Sequence, residues 1–140
     1  ALHRAGLANQ AEATHYGDGL ELSGVWITSA VKCAPPDNRP TTAEREACRP
    51  YLEREFDLLT HRRVIVCLGS FAYHQTARIL RGRGLSLPRP LPKFSHGAEV
   101  ALEGGGLIAS YHPSQQNTFT GKLTRPMFKQ IWERAKELGG

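Results

Sequence analysis

The sequence predicts an α/β domain built on a mostly parallel sheet, and three observations carry that prediction. Two short apolar runs, Gly24-Val25-Trp26-Ile27-Thr28 and Val64-Ile65-Val66-Cys67-Leu68, have the β-branched content of buried strands. Stretches of helical period lie between and after them. The signals alternate along the chain as helix end, strand, helix, strand, helix, hairpin and helix, which is the order of an α/β sheet.

Each element has its own reason. Ala1 to Leu7 reads as the last turn of a helix with Gly6 at its C-cap. Residues 8–23 are polar, with Gly17-Asp18-Gly19 as the clearest turn. Val25 to Val31 reads as a buried strand that runs into Lys32-Cys33-Ala34-Pro35-Pro36-Asp37-Asn38-Arg39-Pro40. The prolines forbid helix and central strand there, so this is a rigid loop at the carboxyl end of a strand, where open α/β sheets bind ligands. Thr41-Thr42-Ala43-Glu44 is a capping-box signature for a helix whose apolar face is Cys48, Tyr51, Leu52, Phe56 and Leu59. Pro50 inside it predicts a kink or restart just after Cys48.

Arg63 to Leu68 is the second strand, and Gly69-Ser70 turns it into a helix carrying Phe71, Ala72, Ala77, Ile79 and Leu80. Residues 82–97 form a Gly/Pro/basic loop. Glu99 to Leu102 and Leu107 to Ser110 flank Glu103-Gly104-Gly105-Gly106, which predicts a hairpin. Thr124 or Arg125-Pro126 opens the last helix, with Met127, Phe128, Ile131, Trp132, Ala135 and Leu138 on one face.

The chain of 140 residues is one domain at most, and its 40% apolar and 22% charged residues are those of a folded chain. No apolar run approaches the roughly 20 residues of a membrane span, and the start lacks the grammar of a signal peptide. Eighteen Lys and Arg against 13 acids give a net charge of +5, which favours an anionic partner. Three cysteines are an odd number, which argues against a closed disulfide framework.

Tyr111-His112-Pro113-Ser114-Gln115-Gln116-Asn117 is the most informative segment. It follows an apolar strand, Pro113 restricts the backbone at His112, and the loop is rich in hydroxyls and amides without formal charge. Such a loop either donates hydrogen bonds to a developing anion or is a solvated turn. Cys33 and Cys48 are either two reduced cysteines or half of a four-thiolate site. Cys67 lies mid-strand and reads as a small core hydrophobe. The six histidines show no metal-binding spacing, and all but His112 read as scattered surface or loop residues. The basic residues at 78–93, and Lys122 with Arg125 beside the His112 loop, are either a phosphate-facing surface or a solvated face. The chain has no dinucleotide fingerprint, no Walker A motif and no serine-centred nucleophile elbow.

Three motifs together resemble the iron–sulfur uracil-DNA glycosylases: Cys33-Ala34-Pro35-Pro36-Asp37-Asn38, Cys48-Arg49-Pro50-Tyr51-Leu52 and Tyr111-His112-Pro113-Ser114. Val64 to Gly69 resembles that family's following strand, and the resemblance covers essentially the whole chain. Ser29 and the Gln115-Gln116-Asn117 variant point to the type b, or family 5, branch. The resemblance implies a three-layer α/β/α fold and a monofunctional DNA glycosylase of base-excision repair. Such an enzyme flips uracil, with other deaminated bases as further candidates, out of DNA and hydrolyses the N-glycosidic bond, leaving an abasic site.

Residue by residue, His112 matches the histidine that stabilises charge on the departing base, and Asn38 an active-site asparagine. Asn117 matches another polar residue of the final loop, Ser114 the serine that bonds a DNA phosphate, and Gln116 the position of the wedge that fills the vacated stack. Lys122 and Arg125 would hold phosphates. Cys33 and Cys48 match the third and fourth ligands of a 4Fe–4S cluster of structural role. The implied partner is double- or single-stranded DNA carrying deaminated bases, met by a monomer in the cytoplasm, at the nucleoid of a bacterial or archaeal cell.

The family's opening Cys-x2-Cys pair, and its Gly-Leu-Ala-Pro-Gly-like motif with a downstream acid, do not occur in these 140 residues. The expectation is therefore a single glycosylase-like domain over 1–140 that lacks its N-terminal portion. The competing reading is a catalytically silent nucleic-acid-binding α/β module, which the basic balance also suits. A small-molecule α/β enzyme is disfavoured by the lack of any cofactor fingerprint.

Overall fold

The computed structural model describes residues 1–32, Asp37 and 39–140. Cys33 and Asn38, two of the expected site residues, lie outside the described residues. The described elements are α1 (Thr42–Leu58), β1 (Val64–Leu68), α2 (Ser70–Gly82), β2 (Glu99–Leu102), β3 (Gly105–Ser110), α3 (Gln115–Phe119) and α4 (Arg125–Gly139).

The strands form one sheet of order β1-β3-β2. β1 runs parallel to β3, with Cys67 opposite Ala109, and β2 runs antiparallel to β3, with Val100 opposite Leu107. Among the described residues the sheet is therefore mixed, because the hairpin supplies one of its two ladders. Alternation along the strands sorts the side chains between two layers. Ile65, Cys67, Leu107, Ala109 and Val100 share a core with Leu52 and Phe56 of α1 and with Tyr73, Ala77 and Leu80 of α2. On the other face, α4 lies so close that a Cβ at Gly106 would be 3.1 Å from Leu138 Cδ1. Helices thus cover both faces, the layering expected of an α/β/α domain.

Local chemistry accounts for the ends. Thr41 caps α1 reciprocally: its hydroxyl accepts from the Glu44 N–H at 3.2 Å, and its own N–H donates to Glu44 Oε2 at 2.7 Å. Thr124 caps α4 by accepting from the Met127 N–H, and Pro126 sits in the first turn, where a missing donor costs nothing. The N-terminal residues form the expected closing turn: Leu7 N–H donates to Leu2 O, Gly6 N–H donates to His3 O, and Gly6 takes φ +75°.

Four expectations need correction. Val25 to Val31 forms no strand: no described residue shares a ladder with it, and Trp26 and Ile27 are 64% and 61% exposed. A strand exists only by its ladder, and this segment is held by side-chain ties instead. β1 is not the buried strand its β-branched content predicts; only Cys67 is fully buried, because β1 lies at the edge of the described sheet. Pro50 does not interrupt α1, which runs continuously through it. Tyr51 points to solvent, because Cys48, Leu52 and Phe56 at four-residue spacing make a narrower buried stripe than expected. No helix among the described residues is long and apolar enough to cross a membrane.

Candidate active site

The site is built at the carboxyl end of β3. Ser110, the last residue of β3, is fully buried, and its carbonyl accepts the Gly69 N–H at 2.8 Å. Gly69 turns β1 into α2 at φ +97°, a conformation that favours glycine. It also makes room, since a Cβ there would lie 3.4 Å from His112 Cβ. Tyr111 follows, with its N–H donating to His96 Nδ1 at 3.1 Å and Lys122 Nζ standing 4.8 Å from its ring centroid.

His112 is then exposed, and its ring has no hydrogen-bond partner among the described residues. Its carbonyl accepts from Asn117 Nδ2 at 2.8 Å. The loop is therefore pinned on both sides of a free imidazole, which can donate a hydrogen bond to an anion from either nitrogen, depending on tautomer.

The polar stretch after Pro113 is not a loop throughout. Gln115–Phe119 winds into α3, capped by Ser114, whose hydroxyl accepts the Asn117 N–H at 3.2 Å. That bond leaves the Ser114 O–H free to donate. Asn117 commits one amide hydrogen to His112 and keeps its carbonyl oxygen, so it is a positioning group as well as a polar one. Gln116 is exposed, and Phe119, three residues on along the same face, is 83% exposed. Sequence reasoning missed Phe119; the signal was a single aromatic residue in an otherwise polar run.

Leu123, only 3% exposed, anchors the chain after α3 and sends its N–H to Asn117 O at 3.0 Å. Lys122 thereby stands over Tyr111 of the histidine loop, and Arg125 begins α4. Arg125 also lines a shallow basic cavity of about 210 Å³ with Arg4, Phe128 and Lys129. The basic residues at 78–93 are employed differently. Arg78 pairs with Glu46 at 2.9 Å, Arg83 pairs with Asp57, and Arg81 donates to Pro88 O. Arg78, Arg81 and Arg83 lie in and just past the last turns of α2, roughly 14–20 Å of helix from Gly69. A second cavity, of about 280 Å³ and lined by Arg81, Gly84, Ser86 and Arg89, is at that far end, away from His112.

Cys48 is buried on α1, and its sulfur accepts the Lys32 N–H at 3.3 Å. That contact holds Lys32 against the Cys48 thiol. Cys67 does not fit a ligand role: burial in the core pushes its thiol up to about 11, against a weaker opposing hydrogen bond with Thr76. Among the described residues no group of three or more His, Cys, Asp or Glu converges on a point. Of the two expected cluster ligands, the described residues include Cys48.

A brace secures this region. Glu55 on α1 accepts from Trp26 Nε1 at 3.0 Å and pairs with Lys32, which also bonds Thr28. Partial burial raises the Glu55 carboxyl pKa, but the hydrogen bonds from Lys32, Thr28 and Trp26 outweigh it and hold the group below its usual 4.5. A carboxyl lowered on folding adds stability above its unfolded pKa and loses it as pH falls through the folded value. Glu55→Gln is therefore expected to destabilise the protein by about 1 kcal/mol near neutrality. In urea titrations against wild type, that difference should close as the pH drops below 4.5.

Fold and site together define an α/β domain in which the carboxyl end of a central strand leads into a histidine with no ring partner among the described residues, set beside amides and Lys122. The chain belongs to the uracil DNA glycosylase superfamily, whose family model matches residues 1–136. It is 46% identical over 142 residues to a type-5 uracil-DNA glycosylase of Mycobacterium tuberculosis, an alignment covering 100% of this chain and 52% of that protein. It is 46% identical over 140 residues to a type-5 enzyme of Thermus thermophilus, covering 99% and 61%. A type-4 enzyme of Archaeoglobus fulgidus is 49% identical over 118 residues, covering 82% and 54%. The chain thus spans about half to three-fifths of the length of these relatives.

Proposed function

We propose that this chain supplies the leaving-group and DNA-contacting side of a monofunctional uracil-DNA glycosylase that acts in base-excision repair. The observation that carries the reading is the free His112 imidazole on a backbone fixed at Ser110, Tyr111 and His112. The target base leaves the stack at a cost of a few kcal/mol and enters the site. As the glycosidic bond breaks, positive charge grows on the sugar and negative charge on the base. His112 donates a hydrogen bond to the base oxygen, and because its backbone is already set, little reorganisation accompanies the step. Asn38 and the free carbonyl oxygen of Asn117 bind the base edge or orient water. Water completes the hydrolysis and leaves an abasic site.

The DNA backbone is held by cations and a hydroxyl. The free O–H of Ser114 donates to a phosphate, and Lys122 and Arg125 supply charge on either side of α3. Gln116 and Phe119 face the duplex from the exposed side of α3, where they can fill the stack as the base leaves. Cys33 and Cys48 would supply two of the four ligands of a 4Fe–4S cluster, whose role would be structural. DNA with a deaminated base, single- or double-stranded, is the partner, and the protein acts on it as a cytoplasmic monomer.

The test is release of uracil from a labelled duplex by the full-length protein, read as alkali-labile abasic sites. Binding without release would instead make the protein a silent nucleic-acid-binding module. In the same preparation, Lys122→Ala and Arg125→Ala should weaken binding uniformly across sequences. Each should lower the slope of log affinity against log salt by about 1.

A further inference from the structure

We propose that His96 is the positioning residue that sets the backbone under His112, an inference that rests on the glycosylase reading above. His96 enters the fold just before β2. Its neighbours Gly97 and Ala98 are bonded to Ala109 of β3, through Gly97 N–H to Ala109 O and Ala109 N–H to Ala98 O, each at 2.8 Å. The ring is thus carried by the sheet itself. It reaches two other segments. Nδ1 accepts the Tyr111 N–H at 3.1 Å, and Nε2 stands 3.3 Å from the Met127 carbonyl in the first turn of α4.

The partners dictate the protonation state. A backbone N–H can only donate and a carbonyl can only accept, so the arrangement is satisfied by the neutral ring with its proton on Nε2. The ring also packs on the Tyr111 ring, with centroids 5.0 Å apart. One imidazole therefore joins the hairpin, the residue preceding His112, and the helix that begins at Arg125. Both ring nitrogens are committed to backbone atoms, so His96 acts through Tyr111, by fixing the direction from which His112 meets the departing base. Displacing a catalytic group by about 1 Å can cost two orders of magnitude in rate, so a tie of this kind bears on the chemical step.

The two bonds can be separated by substitution. Asn offers its Oδ1 where His presents Nδ1 and keeps the acceptor for Tyr111. Gln offers its Nε2 where His presents Nε2 and keeps only the donor to Met127. In the full-length protein, with enzyme in excess and saturating, His96→Asn should release uracil within about threefold of wild type and His96→Gln about tenfold or more slower. Duplex affinity and melting temperature should be alike in the two variants. Equal rates in the two variants, or a loss confined to affinity, would overturn the proposal while leaving the glycosylase reading intact. A wild-type protein that releases no uracil overturns both. Should either variant fail to fold, nitrogen-15 NMR of histidine-labelled wild type decides. An unprotonated Nδ1 and a protonated Nε2 at His96 are expected, and the opposite tautomer excludes the tie.

Discussion

His112→Ala in the full-length protein is expected to slow uracil release about 100-fold or more, the 2.7–4 kcal/mol typical of losing one preorganised donor to a developing oxyanion. The variant should fold normally. The His112 ring is exposed and has no hydrogen-bond partner among the described residues, while the contacts that hold its loop come from backbone atoms and from Asn117. Ala retains the Cβ that lies beside Gly69. The loss should therefore appear in the single-turnover rate at saturating enzyme, with affinity for undamaged duplex nearly unchanged. Unchanged release would remove His112 from the mechanism.

The second large effect falls on stability. Gly105→Ala would place a Cβ 1.7 Å from the Arg63 carbonyl oxygen, a backbone atom at the entry to β1 that no side-chain rotation can move. Relief requires β1 and β3 to separate at the very place where Gly106 N–H bonds the same carbonyl at 3.0 Å. The expected cost is about 3 kcal/mol, at the upper end of overpacking effects. For a chain of this size that lowers the melting temperature by roughly 10 °C. Gly104→Ala, one residue earlier, meets nothing within 4 Å and carries only the penalty of its φ of +76°. That penalty is about 1–2 kcal/mol, so calorimetry of the pair should place Gly105→Ala well below Gly104→Ala.

The same two glycines show what could be read in advance. Glu103-Gly104-Gly105-Gly106 announced a hairpin, and there is one, but only Glu103 and Gly104 form its turn. Gly105 is needed because another strand's carbonyl approaches it, a fact no local pattern contains. Where the cause is local, the sequence was sufficient. The capping box at Thr41, the stop at Gly6 and the apolar stripe of α4 through Ile131 and Trp132 are all present as expected. Where the cause is a partner, it was not. Val25 to Val31 has strand composition and no ladder among the described residues.

In the site, Ser114, Asn117 and His112 are tied together by hydrogen bonds and Lys122 stands over Tyr111, whereas Arg125 lies at the start of α4 in a cavity with Arg4. His96 gave no warning: a histidine in a Gly/Pro/basic loop looks like any surface histidine until its two ring nitrogens are seen to face a donor and an acceptor. The capping role of Ser114 and the tie from Asn117 were hidden for a related reason, since a five-residue helix is too short to leave a periodic signature.

β3 is the central strand, laddered on both sides, with Leu107 to Ser110 essentially without solvent contact, and His112 stands two residues beyond its end. In the proposed reaction, the group that meets the base is thus mounted at the end of a buried strand laddered on both sides, with little freedom to follow a moving target. The swing that brings base and imidazole together then has to be made by the nucleic acid. Under the proposed function, discrimination between a uracil opposite guanine and one opposite adenine would fall to the mechanics of the helix: the weaker pair opens more often, and a stationary catalyst would sample whichever base arrives.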